Sequence, residues 1–213
     1  MRVGISLCSS YLVADPREGA RYMIERAAAA REAGLDSLFV GDHHSVPIPY
    51  YQNVPILGRL LAEWDERPAG ALFLLPLWNP VLVADRAARM GEAWLAAPAL
   101  VPNDARKSLD LYRESCDRHG RKPTAIPIRR DVYVGSSDAE AQQTTAETVA
   151  RGYRGFSPEA LVIGGVETVA DAFFELADMG YTDVIVRNLM SDQAAALRCI
   201  ENLAHLRELL HAS

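Results

Sequence analysis

The stretch "FVGDHHSVPIPYYQN", residues 39–53, sets Asp42 beside His43 and His44 at the end of an apolar run. A carboxylate next to two imidazoles suits acid–base chemistry, hydrogen bonding to a ligand, or metal binding. Adjacent residues near a strand end point in opposite directions, so at most one of the two histidines faces a given pocket. Metal ligation would need more His, Cys or carboxylate ligands at recognisable spacing. The remaining histidines, His119, His205 and His211, fall at a helix terminus or in the C-terminal helix. The pair therefore reads as a pocket acid/base or ligand contact, or as ordinary hydrogen-bonded loop histidines, and no metal is expected.

Other residue sets each carry two readings. Arg129-Arg130 can hold an anion, or can pair with Asp131 and neighbouring helices. Gly164 and Gly165 in "LVIGGVETV" precede a helix and resemble a phosphate loop, or form a plain turn. Tyr50, Tyr51, Trp78 and Tyr153 can wall a flat ring, or can fill core.

The elements that must position these groups alternate along the chain. "RVGISLC", "DSLFVGDH", "GALFLLPLWNP", "AWLAAPAL", "TAIPIRRDVYVGSS" and "TDVIVRNL" read as six strands. Between them lie helical stretches, among them an Ala-rich helix opened by Asp15-Pro16 and stopped by Gly34. Such alternation with short connections predicts right-handed βαβ units and a parallel sheet. The loop after the first strand, "SLCSSYLVADP", lacks the Gly-rich signature of a doubly wound nucleotide fold. In a parallel α/β fold chemistry gathers where strands end. That rule selects Ser9, Ser10, Tyr11, Asp42, His43, His44, Trp78, Asn79, Gly135, Ser136, Arg187 and Asn188.

Composition narrows the class. The chain of 213 residues is 49% hydrophobic and 23% charged, which fits a single globular domain over 1–213. A net charge of −6 argues against a nucleic-acid surface. No run approaches the roughly 20 apolar residues that span a membrane. The three cysteines are scattered, which favours reduced thiols and a cytoplasmic location.

Taken in order, "AAAAREAGLDSLFVGDHH", "YYQNVPILGRLLAEW", "GALFLLPLWNPVLVA", "RAARMGEAWLAAP", "RRDVYVGSSDAEA" and "MGYTDVIVRNL" resemble the bacterial luciferase-like family. These are flavin- or deazaflavin (F420)-dependent oxidoreductases and monooxygenases built on a TIM barrel. The resemblance implies an isoalloxazine-type ring, from FMN or F420, lying across the C-terminal mouth of the barrel. It also implies a small organic substrate and a homodimer. By the family pattern His43 or His44 faces the ring or substrate and is the catalytic candidate. Ser9, Asp42 and the "LLPLWNP" residues Leu75, Trp78 and Asn79 become candidate cofactor contacts.

The chain also departs from that pattern. A full barrel takes about 250 residues. Here the segments resembling the helix after strand three and the helix and strand after strand five are fused, with the join near 84–92. The expected fold is a (β/α) barrel shortened to about six βα units by an internal deletion. The missing units carry the family's flavin-phosphate anchor, so Arg130 and Arg187, with Arg129 or the Gly164-Gly165 loop, are the candidates to replace it. Two alternatives to the redox enzyme follow: a flavin-binding protein without turnover, and a pocket reused for a non-redox step with a histidine acid/base.

Overall fold

The computed structural model describes residues 1–43, 48–72, 79–91 and 93–212. Strand β1 (Arg2–Leu7) leads through α1 (Pro16–Glu32) to β2 (Ser37–Gly41), α2 (Asn53–Leu60), β3 (Ala69–Leu72) and α3 (Pro80–Met90). Helix α4 (Pro102–Arg118) precedes β4 (Pro127–Val134), α5 (Asp138–Ala150), β5 (Val162–Gly164), α6 (Val166–Met179), β6 (Asp183–Asn188) and α7 (Gln193–Ala212).

The local signals act as their chemistry dictates. The Asp15 carboxylate accepts from the Arg17 N–H at 2.9 Å, Pro16 opens α1, and Gly34 follows its end at φ 73°. The six strands are all parallel, in the order β3-β2-β1-β6-β4-β5. One face of the sheet carries Val3, Ile5, Leu7, Leu38, Val40, Val184 and Val186, all buried under helices that include α1 and α7. The opposite face carries Gly4, Ser6, Ser37, Phe39, Ile185, Arg187, Arg129 and Asp131, by the strand registers and the two-residue repeat.

Two expectations change. "AWLAAPAL" is not a strand; it makes only the isolated parallel bridges Ala93–Ala125 and Ala96–Ile128. Alanine has low strand propensity and Pro98 lacks a donor, so the segment cannot sustain a ladder. "LVIGG" instead supplies β5, with Gly165 as the residue that caps α6. Residues 93–96 and β5 share the edge of β4 opposite β6: Arg129 N–H donates to Ala96 O, and Gly135 N–H to Gly164 O. In a closed barrel successive strands are neighbours, yet β5 lies outside β4, not between β4 and β6. Among the described residues β3 and β5 are the sheet edges, and no pairing closes them.

Most of the segment where the join is expected, residues 84–90, lies in helix α3, which ends against Gly91. Ala84, Ala87 and Ala88 are buried there, and Asp85 reaches His119 Nε2 at 2.9 Å and Arg118 at 3.6 Å at the end of α4. Among the described residues no helix is long and apolar enough to cross a membrane.

Asp36 ties three elements at the strand-start end of the sheet. It accepts from the Val3 N–H at 2.7 Å and from Arg207 of α7 at 2.8 Å. Burial opposes its ionisation, but the Arg207 and Val3 hydrogen bonds outweigh burial and hold the carboxyl below the ordinary range. A carboxyl lowered on folding adds stability above its unfolded value, near pH 3.9, and loses it as pH falls through the depressed folded value. Asp36→Asn should lower the melting temperature by about 2–4 °C at neutral pH, the shift that goes with about 1 kcal/mol at this size. In a pH series of melting curves that deficit should shrink as the pH falls below about 4.

Candidate active site at the strand ends

The loops after β1 and β2 are stitched together at the C-terminal end of the sheet. Ser9 is buried; its hydroxyl donates to the Gly41 carbonyl and its own carbonyl accepts from Tyr51 N–H at 2.9 Å. The Asp42 carboxylate accepts from the Asn53 N–H at 3.0 Å, at the first residue of α2. Tyr11 packs edge-on against Tyr22 and Tyr51, with centroids 5.7 and 6.5 Å apart, and Arg26 lies over its ring at 5.4 Å. Arg26 is itself fixed by Gln193 at 2.7 Å and the Ser191 carbonyl at 3.0 Å. His43 is half-buried with its ring 6.2 Å from that of Tyr50.

On the same sheet face β4 and β6 build a charged cluster. Asp131 is fully buried and lies opposite Arg187 in the ladder. It accepts from Arg129 Nε at 3.1 Å, Tyr153 Oη at 2.8 Å and Arg154 Nη1 at 3.2 Å. Tyr153 and Arg154 come from the turn "RGYRGF" after α5, where Gly152, Arg154 and Gly155 have φ of 81°, 52° and 72°. Only glycine adopts that region freely, so the Asp131 contact offsets strain at Arg154. Burial pushes the Tyr153 phenol up, and the negative charge of Asp131 adds to it, so the phenol stays a donor. Arg187 is partly buried and donates to Cys8 Sγ at 3.3 Å.

Among the described residues Tyr11 Oη, Arg129 Nη2 and the side-chain amide of Asn53 are buried in this region without a hydrogen-bond partner. A cavity of about 330 Å³ lies elsewhere, at the strand starts, among Arg2, Asp36, Asp183 and apolar Phe39, Leu72 and Ile185. The chemistry-bearing groups are at the opposite end, so the cavity is not the candidate active site.

The sequence candidates separate on this geometry. His43, Asp42 and Ser9 come together at the ends of β1 and β2, while Arg187 faces the Asp131 cluster. Ser9 and Asp42 spend the contacts named above on holding the loops. Asn79 caps α3, its Oδ1 accepting from Val81 and Leu82 N–H at 3.0 and 3.4 Å. Arg130 does not join the inner face. The strand alternation turns it to the helix-covered side, where it is buried and reaches the Pro98 carbonyl at 3.5 Å. Burial lowers its pKa to about 10 there, with Tyr181 the main opposing charge. Its neighbour Arg129 takes the inward position. His44, Leu75 and Trp78 lie outside the described residues.

The Gly164-Gly165 turn already holds an anion of the protein's own. Asp138 accepts from Gly165 N–H at 2.7 Å and Thr168 Oγ1 at 2.9 Å. Asp131 and Arg154 were not among the sequence candidates. The alternation of "RRDVYV" carries the signal for Asp131, since it puts residues 129 and 131 on one face and 130 on the other.

No protein-family model matches the sequence, and no curated protein matches it. Solved structures do match in fold. The crystal structure of apo-MsnO8 has a TM-score of 0.75 at 18% identity, covering 98% of this chain and 99% of that one. An F420-dependent secondary alcohol dehydrogenase, in complex with an F420-acetone adduct, has 0.69 at 12%, covering 98% of each. The oxygenating constituent of 3,6-diketocamphane monooxygenase from Pseudomonas putida, a type II Baeyer–Villiger monooxygenase in complex with FMN, has 0.69 at 11%, covering 96% and 97%. The chain is thus an α/β protein that shares the fold of these solved structures. At the level of fold this bears out the luciferase-like resemblance.

Asp131 is the one carboxylate among three guanidiniums, and removing its charge leaves them facing one another. Asp131→Asn should destabilise the protein by about 3–5 kcal/mol, the usual cost of breaking a buried pair from one side. Urea denaturation of the two proteins measures the difference.

Proposed function

We propose that the protein is a luciferase-like oxidoreductase that binds FMN or F420 at the C-terminal end of its sheet and acts on a small organic molecule. The observation that carries this is the gathering of buried polar groups and surplus positive charge along one face of the sheet, from mid-strand Arg129 and Asp131 to Arg187 and the loops at the strand ends. Both cofactor types have an anionic phosphate and a flat polar ring. Arg129 and Arg187 fit the anion, and Tyr11, Asn53 and His43 fit the polar edge of the ring or the substrate. The bound cofactor would supply the hydride or oxygen chemistry. His43 would hold or move a proton at an imidazole nitrogen, and the loops stitched by Ser9 and Asp42 would keep it in place.

Three further features belong to this proposal. The chain is a shortened version of the fold, with its join in α3. It forms a homodimer, supported by exposed Val54 on α2, Leu61 at its C-cap, and Val81, Leu82 and Met90 on α3, which offer apolar surface for a partner to cover. Its three free cysteines, Cys8, Cys116 and Cys199, fit a reducing cytoplasm.

At saturating concentration the correct cofactor should raise the melting temperature by about 5–10 °C. His43→Ala should keep that shift and lose about 100-fold in the rate of reduced-cofactor oxidation. A melting temperature unmoved by millimolar FMN or F420 would rule the proposal out. On a calibrated sizing column the protein should elute as a dimer and Leu82→Glu as a monomer; a monomeric parent protein would contradict the dimer.

A further inference from the structure

Charge balance on the inner sheet face is unequal. Arg129, Arg154 and Arg187 bring three positive charges to Asp131's one negative charge, a surplus of two. Asp131 already accepts three hydrogen bonds, so it has little left to offer Arg187. Among the described residues Arg187 donates to the Cys8 sulfur, a weak acceptor, and Arg129 Nη2 has no hydrogen-bond partner. The Arg129 side chain is only 14% exposed. A buried guanidinium nitrogen without an acceptor is destabilising, the more so because it carries charge. Such a cost is tolerated where a ligand completes the set.

The surrounding groups define what that ligand is. Tyr11 Oη, in the loop that follows β1 and Cys8, is a second buried polar atom without a hydrogen-bond partner among the described residues. The two guanidiniums can only donate, and the phenol O–H can donate beside them, so the missing partner is an acceptor with several oxygens. A surplus of two positive charges matches a dianion, and planar guanidiniums favour tetrahedral oxyanions through paired N–H donors. The strained Tyr153-Arg154 turn closes over the same carboxylate, with Arg154 also 5.2 Å from the Phe156 ring. Asp131 thus works as a positioning residue that holds Arg129 and Arg154 in place and leaves Arg187 unspent.

We propose that Arg129 and Arg187, positioned by Asp131 and aided by Tyr11, form a binding site for a phosphate-type dianion on the inner face of β4 and β6. This rests on the flavin proposal only for the source of the phosphate: the terminal phosphate of a flavin nucleotide, as opposed to free inorganic phosphate. The site lies on the last strands of the sheet, away from the join in α3.

Calorimetric titration of the intact protein with inorganic phosphate, FMN and riboflavin, at matched ionic strength in chloride, tests the site. Phosphate should bind, and FMN should bind at least tenfold more tightly than riboflavin, which has the same ring without the phosphate. Arg129→Gln and Arg187→Gln should each erase most of the FMN preference and cut phosphate binding at least tenfold. Arg129→Lys should fall between them. Equal affinity for FMN and riboflavin would overturn the phosphate site while leaving the flavin proposal standing. Phosphate binding lost in the variants, with neither flavin bound, would keep the site and overturn the flavin proposal. No binding of any of the three, or variants that bind like the parent, would overturn the site. The comparison of FMN with riboflavin needs no variant, so it decides even if a substitution prevents folding.

Discussion

The buried carboxylate of Asp131 is the interaction around which the C-terminal end of the sheet is arranged. It sits mid-strand in β4, faces Arg187 of β6, and holds Arg129 beside it and Tyr153 and Arg154 from a turn far along the chain. Three hydrogen bonds keep this charge tolerable away from water. The same bonds fix the positions of the guanidiniums, and that is what turns a structural ion cluster into a site with unmet donors.

The other constraint is the open sheet. Among the described residues β3 and β5 are its edges, and small residues such as Gly4, Ser6 and Ser37 line much of the face that carries Arg129 and Asp131. A side chain at Gly4 would collide with Ser37 Oγ and Ile185. The lower end is left with an apolar cavity, while the upper end is filled by charge.

Much of this was legible in the sequence and some was not. The alternation of strands and helices, the Asp15-Pro16 cap and the strand-end positions of Asp42 and His43 follow from local rules that the structure obeys. "AWLAAPAL" misled because an apolar run looks like a strand even when alanines and a proline deny it a ladder. Arg130 misled because two adjacent arginines look like a pair, whereas a strand sends them to opposite faces. The partner of Arg154 was invisible for another reason. Its contact with Asp131 spans 23 residues and depends on a left-handed turn that no short pattern announces.

The most direct measurement is a crystal structure of the protein soaked with FMN. The account predicts density for the phosphate between Arg129 and Arg187, with the ring toward Tyr11 and His43. Density only in the cavity at the strand starts, or a phosphate away from both arginines, would contradict it.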